Sequence, residues 1–557
     1  MGKLFREFTP EKIEQIKTDP YFAGLVDGIL KQAEINMTTD PPRIKFSQIH
    51  LYVTTGNREI FQKVYENHEA RLRNLFLAYI FTNDEKYIEP LADIIWNICD
   101  MESWSIPAHV AEHLDIMRRR QNLDLTSTIM GFRIAEILYF IGDKLPELVR
   151  RRAEYEVRER VIESYKKYDG KTFWWMDCEN NWASVCIGAV FSTFAYLATK
   201  EETDALLPRM LKTAEGYLAG FFDDGCCKEG YGYWHYGFSY FCLFASMVRD
   251  YTDGEIDLFA DPKVHQIALF QQNATINEKE LISFSDAGRY FTPGAWLSHF
   301  LKNEYPDMEI PSLKCQMSVS GGLRYIFWMR PEFADCKMNP KSHIYRDNQW
   351  FIHRSEAYSF ACKAGHNAEP HNHNDVGSFI ISKNGKVSFT DPGTGEYTRQ
   401  YFSGERYNLI ACSSRGHSVP IINGQYQVTG KNPSEITAEN ENEYGFKFEK
   451  AYNVSTLTSL KREFKCEPDS VKMVDTFEFS EKPESIVERF VSLTPIEPSE
   501  DGVKCGESIL CFNSDLVDVT FSSEGLMRHG HREEPVYIVD LAIKDPQVNT
   551  VFSVEIK

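Results

Sequence analysis

The stretch His366-Asn-Ala-Glu-Pro-His371-Asn-His373-Asn-Asp375-Val-Gly-Ser-Phe-Ile-Ile-Ser-Lys-Asn384-Gly385-Lys-Val-Ser-Phe-Thr-Asp391-Pro392-Gly393 decides how the second half of the chain is read. In extended backbone, residues i and i+2 share a face. His371 and His373 are therefore expected at one strand edge leading into residues 378–382. Asn384-Gly385 is a tight-hairpin signal, because both central positions of the favoured two-residue turn need positive φ. The turn folds residues 386–390 back antiparallel, so Asp391 returns to the end where His373 sits. A further histidine, His417, follows in Ser414-Arg-Gly-His417-Ser-Val. Two imidazoles and a carboxylate at one sheet edge form a ligand set for a divalent metal, with zinc the expected ion.

Working outward, residues 318–328, 342–353, 419–428, 472–479, 486–493 and 517–522 are rich in β-branched and aromatic side chains, with turn signals between them. Asn423-Gly424 marks a second tight hairpin. Residues 316–557 thus read as an antiparallel β-sandwich. The first part has a different texture. Leu72, Leu75, Phe76, Tyr79 and Ile80 recur at helical spacing, as do Leu91, Ile94, Ile95 and Ile98. Residues 126–141, 186–199 and 205–219 follow the same rule, and several of these helices are apolar on more than one face, as packing in two layers requires. Breakers stand between them: Asp40-Pro41-Pro42, Ser105-Ile106-Pro107 and Asp223-Asp224-Gly225. With no strict repeat, residues 1–315 read as an all-α (α/α) toroid, an incomplete barrel of paired helices. The whole is a multidomain α and β protein.

A length of 557 residues is more than one core sustains. The net charge of −20 argues against nucleic acid as a partner, which selects a basic face. The 13 cysteines show no paired framework, and the chain begins without an apolar leader, so reduced thiols in the cytoplasm are expected. No run is expected to span a membrane; residues 186–198 come nearest. Aromatic residues make up 13% of the chain, and their flat faces suit sugar-binding clefts.

Two stretches of the helical half carry chemistry. In Cys178-Glu-Asn180-Asn181-Trp182-Ala-Ser-Val-Cys-Ile187-Gly188, either asparagine can cap the following helix. In Asp224-Gly-Cys-Cys-Lys-Glu229-Gly-Tyr231-Gly-Tyr233-Trp234-His235-Tyr236-Gly237, aromatics interrupted by glycines make a poor core segment and a good lining for a sugar groove. Tyrosine becomes a usable acid or base where a weakly acidic carbon proton must move and a neighbour stabilises the phenolate.

The run His371-x-His373-x-Asp375-x-Gly-Ser-Phe, then Asp391-Pro-Gly and His417, resembles the C-terminal part of heparinase II/III-like polysaccharide lyases. Asn181-Trp182-x4-Ile187-Gly188 is similar to a motif of chondroitin and hyaluronate lyases, and Tyr236-Gly237 to the Tyr-Gly closing their catalytic loop. The resemblance implies the toroid-plus-sandwich fold and lytic cleavage of a uronic-acid glycoside by β-elimination. It implies that Asn181 neutralises the uronate carboxyl, that Tyr236 protonates the leaving oxygen, with Tyr233 the alternative since the choice rests on the neighbouring Gly237, and that His371 takes the C5 proton. His373, Asp391 and His417 would hold a structural metal. Trp182, Tyr233 and Trp234 would line the substrate groove, with His235 and Glu229 fixing the loop and Arg415 meeting a carboxylate or sulfate. Trp182 stands where many relatives have histidine, and Ser418 where asparagine commonly follows the third ligand. The implied partner is an acidic oligo- or polysaccharide, a glycosaminoglycan such as heparan sulfate, chondroitin or hyaluronan. An alginate-type oligouronate is the alternative, and homo-oligomerisation stays open. A second alternative is an (α/α)-barrel glycoside hydrolase working through Asp224 and Glu229.

Overall fold

The computed structural model describes residues 4–167, 173–315 and 322–557. The chain forms two compact units that interleave in sequence. One comprises Met1–Gly220, His235–His265 and Pro293–Lys337; the other comprises Phe221–Trp234, Gln266–Thr292 and Met338–Lys557. The expected single cut at residue 315 borders residues 316–321, which lie outside the described residues.

The first unit is helical, built of helices packed on their neighbours in sequence as an (α/α) toroid requires. Its inner helices are recognisable by burial all round. Leu125–Ile141 begins at an Asp124 cap, whose carboxylate accepts from the Thr126 and Ser127 amides. Asn181–Leu197 is buried without a break from Ala183 to Phe194 and packs on Leu125–Ile141. Gly188 permits a close approach here, since a Cβ at that position would meet the Tyr240 carbonyl at 2.7 Å. Outer helices are amphipathic: Lys200–Ala219 opens with a capping box of Thr199 and Glu202, and buries Leu207, Met210, Ala214 and Tyr217. Leu125–Lys144 is long and apolar enough to cross a membrane, contrary to the expectation that no run is. Its most apolar window is 72% buried, however, and carries the buried Arg133 and Glu136. Residues 323–328, expected as strand, form a helix, Leu323–Trp328. Its aromatic residues satisfy neighbours rather than a pleat: Tyr325 and Trp328 stack on Trp296 in the helix Ala295–Glu304.

The second unit holds three antiparallel sheets of five, eight and four strands. The core between them is dominated by Phe360, Phe379, Phe389, Phe464 and Phe490, all essentially inaccessible. Each such ring is worth about 1.5–3 kcal/mol by burial. The strand Phe379–Lys383 turns back into Lys386–Val387 through Asn384 (φ 51°) and Gly385 (φ 69°), as the turn chemistry requires. Asn423 and Gly424 make the second such turn, with φ of 51° and 70°. Ile381 pairs onward with Phe389, which delivers Asp391 beside the loop before Phe379.

Candidate active site

His371 and His373 do not lie on a strand. The first strand residue is Phe379, and the preceding loop bends sharply enough that His371 has φ 55°. A non-glycine residue in the left-handed region is costly and concentrates at functional sites. The two imidazoles converge through a residue that no local pattern marks. Asp286, fully buried, receives His371 Nδ1 at 2.7 Å on Oδ2 and His373 Nε2 at 3.1 Å on Oδ1. Tyr401 Oη also donates to Oδ1, and Arg406 Nη2 approaches it at 3.3 Å. Burial works to raise the Asp286 carboxyl, but His371, His373 and Arg406 outweigh it and hold it well below the usual carboxylate range.

Over His371 lies Tyr233, in the first turn of the helix Tyr231–Tyr251. The rings are 4.4 Å apart between centroids, and the phenol oxygen is 3.4 Å from His371 Nδ1 and 2.9 Å from Tyr397 Oη. Burial, then Tyr397, push the Tyr233 phenol above its ordinary range, so it is protonated at neutral pH. Phe402, 54% exposed, stands with its ring 6.4 Å from His371 and offers a face to a ligand.

The residues expected as metal ligands lie close together. His373, Asp375, Asp391 and His417 bring ligand atoms within 4.8 Å of one another, all buried. Lys363 Nζ lies 2.9 Å from Asp375 and neutralises it, which leaves the other three. Their donor chemistry fits a divalent cation. His417 Nε2 faces the Ala411 carbonyl at 2.9 Å, which calls for a proton there. In the neutral ring Nδ1 is then bare, 2.9 Å from Asp391 Oδ2. His373 Nδ1 has no hydrogen-bond partner among the described residues and lies 3.9 Å from Asp391 Oδ1. Bare nitrogens facing a carboxylate call for a cation between them.

In the helical unit, Asn180 caps the helix Asn181–Leu197 by accepting from the Trp182 amide at 3.0 Å, so the Asn181 amide is not used for capping. Gly237 packs on Asn181, and its carbonyl accepts from Ser184 Oγ. Trp182 lies between His109 and the exposed Trp174, with centroids 4.7 and 4.9 Å away, and the three form an open aromatic corner. Tyr236 also belongs to this unit, its ring edge-on to Tyr240 at 5.7 Å.

Four of the residues expected to take part are held within the fold. Trp234 lines no groove: it is wholly buried and its indole donates to the Ile267 carbonyl at 2.7 Å. His235 packs edge-on against Trp296, and burial pulls its pKa down to about 4. Arg415 is engaged by Glu524 at 2.8 Å and by the Asn408 carbonyl. Asp224, the alternative hydrolytic acid, accepts from the Cys226 and Asp347 amides and ties a turn. Glu229 does lie near His371 and Asp286. Burial, with Asp286, raises its carboxyl.

This architecture is shared with solved polysaccharide lyases. Heparinase III matches with a TM-score of 0.63 over 98% of this chain and 91% of that one, at 12% identity. A mutant of the heparan sulfate lyase HepC from Pedobacter heparinus matches at 0.59 over 98% and 90%, at 10% identity. The chondroitin AC lyase of Streptomyces coelicolor A3, in complex with chondroitin sulphate, matches at 0.56 over 97% and 80%, at 9% identity. At such identities the likeness establishes the fold class, a helical toroid with an antiparallel sandwich. No curated protein matches the sequence. Residues 337–531 match the family described as heparinase II/III-like, C-terminal.

Proposed function

We propose that the protein is a carbon–oxygen lyase that breaks a uronic-acid glycoside by β-elimination, with a glycosaminoglycan as its substrate class. The observation that carries this reading is a protonated phenol, Tyr233, resting on an imidazole, His371, whose own partner is the buried carboxylate Asp286. The fold and the family of residues 337–531 support it.

The resemblance gives the Asn181 amide the role of donor to the uronate carboxyl, where it would stabilise the enolate-like state that forms when C5 loses its proton. His371 takes that proton through Nε2, the ring nitrogen not engaged by Asp286. The C5 electron pair becomes the C4–C5 double bond as the C4–O4 bond breaks, and the departing oxygen takes its proton from Tyr233. Where proton and leaving group lie on one face of the sugar, Tyr233 serves as both base and acid. Tyr236, first expected in that role, lies against Tyr240, whereas Tyr233 lies against His371, so the role moves to Tyr233. The residues fit for a divalent cation, zinc by ligand type, are His373, Asp391 and His417. A cation there would brace the His373 loop and supply no step.

The test is ultraviolet absorbance of the 4,5-unsaturated product. Incubation with heparan sulfate, chondroitin, hyaluronan and alginate oligomers should raise absorbance on at least one glycosaminoglycan. A rise on alginate alone would move the substrate class, and reducing ends without absorbance would replace the lyase by a hydrolase.

A further inference from the structure

We infer that Asp286 is the positioning residue that sets the tautomers of both histidines, leaving Nε2 of His371 and Nδ1 of His373 bare. The inference deepens the lyase reading and rests on it for its kinetic consequence, though not for its structural one. A carboxylate only accepts, so a ring nitrogen within hydrogen-bond distance of it, with no cation between them, must carry the proton. Asp286 faces Nδ1 of His371 at 2.7 Å and Nε2 of His373 at 3.1 Å. The two rings are thereby fixed in opposite tautomers by one side chain. The bare nitrogen of His371 is the one a base needs, and the bare nitrogen of His373 is the one turned toward Asp391.

The division of labour between its two oxygens supports this assignment. Among the described residues, Oδ1 takes His373, Tyr401 and Arg406, and Oδ2 takes His371 alone. The first set fixes the carboxylate and supplies a counter-charge; the second oxygen is left to aim one ring. Backbone geometry agrees. Ser285 has φ 63°, held by Ser285 Oγ donating to the Lys228 carbonyl, and Ser283 Oγ donates to the Asp391 carbonyl, so the segment carrying Asp286 is anchored on both sides. An ordinary buried ion pair would not require two imidazoles as partners, nor a non-glycine residue in the left-handed region beside it.

The experiment uses the full-length protein with Asp286→Ala, Asp286→Asn and Asp286→Glu variants. In uniformly 15N-labelled histidine samples, with His371→Gln assigning the resonance, wild type should show His371 protonated at Nδ1, and Asp286→Ala should lose that signature. On the substrate identified above, Asp286→Ala should lower kcat by about a hundredfold or more with KM within about threefold, the range seen when an orienting carboxylate is removed. Added formate should restore part of that loss in Asp286→Ala and none in wild type, and Asp286→Glu should retain more than Asp286→Asn. If Asp286→Ala does not fold by circular dichroism, the near-isosteric Asp286→Asn carries the same readouts. An unchanged His371 tautomer in the folded variant, or kcat within threefold of wild type, would overturn the assignment. A wild type inactive on every uronate would sink the lyase reading while the nitrogen spectra still decide Asp286.

Discussion

Tyr233 and Tyr236 stand one helical turn apart, yet their phenols meet different neighbours. Tyr233 has His371 and Tyr397 within reach, and burial keeps it protonated; Tyr236 has Tyr240. Tyr233→Phe removes only the hydroxyl, so the fold should persist while kcat falls by about a thousandfold, the scale of a lost acid–base group. Tyr236→Phe should keep kcat within about fivefold. Steady-state absorbance assays on both variants check the pair, and the reverse ranking would return the role to Tyr236. Arg415 offers a control of the opposite kind. Its guanidinium is half-exposed and held by Glu524, an arrangement worth little in water, so Arg415→Ala should leave KM within about twofold.

At the scale of elements, what could be read from the chain depended on how local the cause was. Helices of the first unit announced themselves through repeating apolar positions, and the hairpin at Asn384-Gly385 through a steric demand that two residues meet alone. Leu323–Trp328 went the other way, because its aromatic residues serve a stack on Trp296 that no neighbouring residue foretells. That His373, Asp391 and His417 lie close together was legible, since a hairpin and a short loop bring them near one another. Asp286 was not. It lies 85 residues before His371, and its only local marks are small polar neighbours at Ser283 and Ser285. Tyr397, Tyr401 and Arg406 were equally silent in an ordinary aromatic-basic loop. Two predictions belong here. A Cβ on Gly237 would lie 2.9 Å from Tyr217 Oη and 3.0 Å from Asn181 Cβ. Gly237→Ala gains up to about 1 kcal/mol of helix propensity but loses about 1–3 to the clash. The melting temperature should therefore fall, and kcat with it as Asn181 is pushed; a higher melting temperature would show that the helix term wins. Chelation probes the other element. If His373, Asp391 and His417 hold a cation, exhaustive dialysis against EDTA should lower the melting temperature by about 3 °C or more, with zinc restoring it. No shift would remove the bracing role.

At the scale of the whole molecule the governing quantity is charge. A net charge of −20 sets the proposed polyanionic substrate against the field of the protein. Three described cations near the site are already committed: Arg406 to Asp286, Lys363 to Asp375, Arg415 to Glu524. Binding should then be limited by repulsion at long range and favoured by contacts at short range. Raising salt from about 10 to about 150 mM contracts the Debye length from about 30 Å to about 8 Å and screens the first while sparing the second. KM for a long glycosaminoglycan should therefore fall about two- to fivefold over that range, whereas KM for a tetrasaccharide of the same repeat should move by less than twofold. Proteins that grip polyanions with a basic groove behave in the opposite sense, losing affinity as counterions compete. Initial rates measured for both substrate lengths across the salt series distinguish the two regimes. A KM that climbs with salt would place an uncommitted basic groove on this acidic protein and shift the expected substrate from short oligomers to the intact polymer.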